Sequence, residues 1–367
     1  MLLTILAIVA LLIIAYLLFV SFYPSFGGDV TKELQEKYAT SENYKNGEFI
    51  NKKGVPEDLS IGETLSLARK FFFTKVPNGA PKQNIEVIKS DSINIANHKG
   101  DTRLIWFGHS AFLLQIAGQN ILVDPMFGRV AAPHDWLGTN RFNNEMPIAI
   151  EKLPKIDAVI LSHDHYDHLD YGSIKKIKQK VQRFYTPLGV GVHLEAWGIE
   201  RERIFELDWW EETKLGGLKF ACTPAQHFSG RKFNNSQSTL WSSWVIQSAT
   251  EAIYFSGDSG YGPHFKKIGE TYGPFDFAMI ECGQYNKMWP DIHMFPEETA
   301  QAGVDLNARV IMPIHWGAFK LALHDWTDPV KRVTRKAREL KIDLVSPQIG
   351  EHIYLEQKTT TSDWWVE

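Results

Sequence analysis

Ser162-His163-Asp164-His165-Tyr166-Asp167-His168 closes the apolar run Ala158-Val159-Ile160-Leu161, and this junction decides how the chain is read. A short, β-branched apolar run bounded by polar residues reads as a buried strand. That strand delivers three imidazoles and two carboxylates to its own end. Neutral imidazole and carboxylate oxygen suit zinc, manganese or iron better than calcium. A solvated, His-rich turn is the competing reading for a single histidine. Five ligand-type side chains within six positions favour a metal site instead.

Four other segments repeat the pattern of a strand ending in a ligand. Asp124 follows Ile121-Leu122-Val123, and Ala225-Gln226-His227 follows a strand ending at Thr223. Asp258 closes Phe255-Ser256-Gly257-Asp258, and His315 closes Ile311-Met312-Pro313-Ile314. Ligands at several strand ends can converge on one sheet edge. With 13 histidines in the chain, His227 or His315 alone would be an even wager.

Around these motifs the pattern is strand-rich from Thr102. Arg103 to Phe107 stops at Gly108, and Ala111 to Ile116 pairs with Asn120 to Val123 through a turn at Ala117-Gly118-Gln119. Strands are expected at Asp157–Leu161, Arg183–Tyr185, Ile204–Leu207, Leu218–Thr223, Trp241–Gln247 and Ala252–Ser256, with helices near Tyr171–Lys180 and Gly189–Trp197. A further α/β stretch runs from Phe275 to Pro347. This mixture predicts an α/β fold of two mixed sheets packed face to face under outer helices.

The N-terminus differs from the rest. Met1 to Val20 carries no charge and is dominated by Leu, Ile, Ala and Val, long enough to span a bilayer. No basic residue precedes it and no small-x-small site follows, which favours an uncleaved anchor over a signal peptide. Lys32, Lys37, Lys45, Lys52 and Lys53 beyond it place the catalytic part on the cytoplasmic side. The expected organisation is an anchor over 1–23, a polar lead-in over 24–100 with a helix from Ile61 to Phe72, a catalytic domain over 101–356 and a tail over 357–367.

The 367 residues carry a net charge of −4, which argues against nucleic acid as a partner. Cys222 and Cys282 sit in apolar runs and read as buried free thiols rather than a disulfide.

Taken in order, the ligand motifs resemble the metallo-β-lactamase superfamily over residues 102–356. The resemblance implies an αββα sandwich with a dinuclear site at one edge. It assigns His163, His165 and His227 to one zinc and Asp167, His168 and His315 to the other, with Asp258 bridging. Trp106-Phe107-Gly108-His109-Ser110, Pro224-Ala225-Gln226-His227, Leu240-Trp241-Ser242-Ser243-Trp244, Asp291-Ile292-His293 and Ile314-His315-Trp316-Gly317 look more narrowly like the N-acyl-phosphatidylethanolamine-hydrolysing phospholipase D branch. That branch implies a zinc phosphodiesterase acting on a membrane phospholipid. The N-terminal anchor and Phe228-Ser229-Gly230-Arg231 depart from its pattern. The expected partners are a phospholipid, the membrane and a second copy in a homodimer. A zinc hydrolase of another ester class, such as a lactonase, and a non-catalytic tethered metal-binding protein remain as alternatives.

Other residues have expected supporting roles. Asp124 orients a ligand imidazole, and Asp164 shapes its loop without binding metal. His109 is divided between a buried hydrogen bond and support of the site. Asp167, His293 and His324 are the candidate catalytic groups, the two histidines to contact phosphate or protonate the leaving group. Trp364-Trp365 would touch a lipid interface or simply pack.

Overall fold

A computed structural model describes residues 2–52, 62, 69–70, 73–357 and 363–366. Its first element, α1 (Leu2–Phe22), is a helix with no buried residue. It is, among the described residues, the one helix long and apolar enough to cross a membrane. Its 21 residues extend about 31 Å at the α-helical rise, close to the hydrocarbon thickness of a bilayer.

The lead-in is not a separate segment. After the turn Pro24–Phe26 come the helix Lys32–Tyr38 and a hairpin of β1 (Tyr44–Lys45) and β2 (Glu48–Phe49). Tyr38, Tyr44 and Phe49 are buried in the main core. The expected boundary near residue 100 therefore has no counterpart in the packing of residues 24–52. The helix expected over Ile61 to Phe72 lies almost entirely outside the described residues.

Two seven-stranded sheets form the domain. The first contains β3 (Arg103–Trp106), β4 (Phe112–Ile116), β5 (Gln119–Val123), β6 (Ile156–Ile160), β7 (Val181–Pro187) and β8 (Ile204–Leu207). The second contains β9 (Glu212–Leu215), β10 (Leu218–Thr223), β11 (Ser243–Gln247), β12 (Ala252–Phe255), β13 (Phe277–Glu281), β14 (Val310–Ile314) and β15 (Asp343–Leu344). β16 (His352–Tyr354) returns from the far end of the chain to pair antiparallel with β3. Each sheet is half antiparallel and half parallel, so hairpins and helical crossovers share one sheet.

Alternation along the strands sorts side chains into two cores. Leu104, Trp106, Leu114, Val123 and Ile160 join Phe220, Trp244, Ile246 and Phe255 between the sheets. Ile105, Phe107, Leu113, Leu122, Val159 and Phe184 point the other way, onto Ile174, Ile177 and Leu194 of the outer helices. Both faces are covered, which is why the strands read as unbroken apolar runs. Between β4 and β5 the pairing of Ile116 with Gln119 leaves Ala117-Gly118 as the turn. Both adopt positive φ (49° and 74°), as a two-residue hairpin turn matching strand twist requires.

The tail folds back as well. Trp365 is buried, and Trp364 stacks on Trp316 with centroids 5.3 Å apart. Trp365 joins the main core, and Trp364 packs against it.

Candidate metal centre

Strand direction brings the ligands together. β5 and β6 run parallel, as do β12, β13 and β14. β10 is antiparallel to β11, which is antiparallel to β12, so β10 and β12 share a direction. The same double reversal aligns β3 with β5. The carboxyl ends of β5 and β6 and of β10, β12 and β14 therefore open at one rim of the sandwich. Asp124, the 163–168 loop, His227, Asp258 and His315 sit just past those ends.

The donor atoms gather in overlapping groups, within each of which they lie inside 4.8 Å of one another. The first is His163, His165, His227 and Asp258. Here His165 Nδ1 lies 2.9 Å from His163 Nε2 and 3.1 Å from His227 Nε2. Asp258 Oδ2 stands 3.8 Å from both of those Nε2 atoms. The second is His109, Asp167, His168 and His315; the third is Asp258, His293 and His315. Asp258 spans them: its Oδ2 lies 3.1 Å from His168 Nε2, and its Oδ1 3.0 Å from His315 Nδ1.

Groups behind the ligands set their tautomers. His227 Nδ1 donates to the Ile292 carbonyl at 2.9 Å, leaving the Nε2 lone pair for the centre. His168 Nδ1 bonds Asp124 Oδ2 at 2.6 Å, which frees its Nε2 likewise. Asp124 also accepts from the Ser162 amide at 2.8 Å, pinning the start of the ligand loop. His109, Asp124 and His315 all hold positive φ (57°, 37° and 64°). Such conformations are costly for residues other than glycine and cluster at functional sites.

Electrostatics favour a cation here. Burial first, then neighbouring imidazoles, push His163, His227 and His315 well below the usual imidazole range. Burial lowers His165 to about 4 and raises Asp258 to about 6. His168 goes the other way: against its burial, the carboxylates of Asp258, Asp167 and Asp124 hold it well above the usual value. Neutral imidazoles are thus crowded around two buried carboxylates, and the one imidazole held protonated is the one those carboxylates face. His168 Nε2 and Asp258 Oδ1 have no hydrogen-bond partner. Buried polar atoms are normally satisfied, so these orphans fit a metal ion bound by the same atoms.

Sequence reasoning missed several supports. Glu281, buried at the end of β13, accepts from His293 Nδ1 at 3.0 Å and from the Met294 amide at 2.7 Å. Arg231 is buried, with its guanidinium over Tyr166 and Trp197. It donates to the carbonyls of Asp164, Leu169 and Ser25. Asn51 clasps both backbone groups of His227 (2.7 and 3.1 Å). Asp164 binds His193 Nε2 at 3.3 Å and the Gly230 amide at 2.9 Å, which places it behind the ligand loop as expected. That contact with His193 helps keep it near 2 despite burial.

His293 enters the site and His324 does not. His324 Nδ1 bonds the Asp325 carbonyl at 2.9 Å, and its Nε2 accepts from the Gln284 amide at 3.0 Å. With both nitrogens occupied and Tyr285 stacked on its ring, it belongs to no donor group and supports a loop.

The centre opens where His165, Asp167 and His293 are partly exposed. Phe228 forms part of this rim, its ring 4.5 Å from His165 and 4.9 Å from His227.

Comparison with known proteins agrees with this geometry. Residues 119–316 match the model of the β-lactamase superfamily domain. An uncharacterized protein of Mycobacterium tuberculosis is 37% identical over 333 residues, covering 89% of this chain and 87% of its own length. The N-acyl-phosphatidylethanolamine-hydrolyzing phospholipase D 1 of Caenorhabditis elegans is 31% identical over 263 residues, 67% of this chain and 74% of its own. A solved metallo hydrolase from Ignicoccus hospitalis superposes with a TM-score of 0.53 at 22% identity, over 69% of this chain and 98% of that one.

Proposed function

Since the chain belongs to the metallo-β-lactamase superfamily, we propose that it is a membrane-tethered phosphodiesterase of the phospholipase D type. Its substrates are N-acyl-phosphatidylethanolamine-class lipids, split by water into N-acylethanolamine and phosphatidic acid. The observation that carries the reading is the position of Asp258. One oxygen faces His168, His163 and His227 and the other faces His315, so a single carboxylate joins two donor groups.

His163, His165, His227 and Asp258 would hold one zinc ion. Asp167, His168 and His315, with Asp258 reaching His168 and His315 at 3.1 and 3.0 Å, would hold the second. Bound in such a pair, the ions lower the pKa of water and neutralise phosphodiester charge. The protein supplies the rest. Asp124 and the Ile292 carbonyl fix imidazole tautomers, so the donors are set before substrate arrives. Glu281 holds His293 by Nδ1 and leaves Nε2 to pass a proton to the departing alkoxide. The rim ring of Phe228 gives an acyl chain an apolar surface beside the ligands.

The lipid assignment draws on the name of the C. elegans relative and on α1, which suits a substrate confined to a bilayer. The test uses purified full-length protein in mixed micelles, given N-acyl-phosphatidylethanolamine and, separately, acyl lactones. Release of N-acylethanolamine that is lost with chelator and with His163→Ala is the expected result. Turnover of lactone with no turnover of phospholipid would replace the reading by a lactonase.

A further inference from the structure

We infer that the catalytic domain does not hang below the membrane on α1 but is sunk into the leaflet beside it, with Phe233 among the acyl chains and Trp136 at their boundary. The inference rests on α1 spanning the bilayer and adds which surface of the domain meets lipid.

The argument begins with depth along α1. Phe22 ends the helix, and at the α-helical rise Tyr16 lies about 9 Å and Phe19 about 4.5 Å before that end. A helix about as long as the hydrocarbon is thick places both rings inside it. The catalytic domain touches these rings. Phe233 meets Tyr16 with centroids 5.9 Å apart, and Trp136 meets Phe19 at 6.1 Å. Tyr23, just past the helix, contacts His134 of the same loop at 5.2 Å. Two loops distant in sequence thus flank the last turns of α1 at graded depths.

Their exposure supports the same partner. Phe233 is 93% exposed and Trp136 69%, next to Leu137 at 44%. In water these residues present unprotected apolar surface beside a helix that carries no charge and is dominated by Leu, Ile, Ala and Val. Large contiguous patches of that kind mark protein or membrane contact. Lys232 precedes Phe233 and extends its ammonium to Asp29 at 2.5 Å, beyond the end of the helix. The Lys232 side chain is only 8% exposed, so this ion pair ties the loop that carries Phe233 to the segment just past α1.

The same contacts bring the metal centre to the surface of the bilayer. Arg231 donates to the Ser25 carbonyl at 3.0 and 2.6 Å, directly after α1, and to the carbonyls of the ligand loop. Phe26 meets Tyr166, which sits between His165 and Asp167, at 6.4 Å. Phe228 of the rim and Phe233 belong to one loop. A lipid headgroup reaches the centre by moving along the leaflet, with its acyl chains still solvated by neighbours.

The test measures depth, not activity. Full-length Phe233→Cys, Leu12→Cys and Ala249→Cys are each labelled with a nitroxide and reconstituted into phosphatidylethanolamine–phosphatidylglycerol vesicles. Cys222 and Cys282 are buried, so the parent chain is the labelling blank. Ala249 lies in the exposed turn between β11 and β12, at the end of β12 away from Asp258. Collision with oxygen should dominate at Leu12 and Phe233, and collision with a water-soluble nickel chelate at Ala249. If Phe233 matches Ala249 while Leu12 is deep, the sunken domain is wrong and the anchor stands. If Leu12 itself is aqueous, the anchor fails and the inference goes with it.

Discussion

Asp124 Oδ2 and His168 Nδ1 lie 2.6 Å apart, and both side chains are fully buried. The contact turns the free nitrogen of His168 toward Asp258 and Asp167. Asp124→Asn is the informative change, because asparagine tolerates the positive φ at this position. An amide in place of the carboxylate removes the charge that steadies the ring. Loss of such an outer partner costs about 10–100-fold in metal affinity. Chelator competition on purified protein should show that loss for one of two ions; unchanged affinity would remove the orienting role.

Glu281 and His293 form a second pair, bonded at 3.0 Å, with Glu281 fully buried. Burial holds the Glu281 carboxyl well above the usual range. His293→Gln should lower kcat by about 10²–10⁴-fold, the range for removing a proton-transfer group, while metal content stays intact. Glu281→Gln keeps an acceptor but frees the tautomer, and should fall between that variant and the parent. Loss of metal in His293→Gln would make it a ligand instead.

His324 gives the opposite expectation. His324→Ala leaves the Gln284 amide without its acceptor, which costs about 1–3 kcal/mol of stability. Turnover per folded molecule should remain near that of the parent. A drop in kcat without a drop in melting temperature would restore the histidine to the reaction.

The helices Pro296–Asp305 and Asp328–Leu340 are joined by a fork from Arg332 to Glu297, at 2.9 and 2.5 Å. The hydrogen bond from Arg332 holds the Glu297 carboxyl below its ordinary value. A depressed folded pKa stabilises fully above the unfolded pKa and is lost as pH falls through the folded one. Glu297→Gln should therefore cost about 1 kcal/mol or less at neutral pH, since the pair is partly exposed. Melting curves of the two proteins should converge in acid. A difference that persists there would assign the effect to packing.

The sandwich was legible because its strands are covered on both faces. Ile105 and Trp106 are adjacent in sequence yet belong to different cores, so no polar residue interrupts the run. The ligands were legible for a related reason: a histidine or aspartate placed directly after an apolar run stands at a strand end. Glu281 obeys that rule in Ala278-Met279-Ile280-Glu281, but Cys282 after it prolongs the apolar run and hides the strand end. Arg231 offered no such cue, since its carbonyl partners belong to distant segments. The backbone partners of His324 were hidden because sequence does not reveal which amide and carbonyl occupy a ring. The packing of Tyr38 and Phe49 into the core was hidden by the polar residues around them.

β16 has a consequence for biogenesis. Its pairing with β3 sets Tyr354 opposite Arg103, 251 positions away. Contacts of such range form only once the intervening polypeptide exists. Because β16 follows β3 by so many residues, the first sheet stays one strand short until residues 352–354 have been made. Until then the edge of β3 is unpaired, and this is where a partly made chain is most open to pairing with another strand.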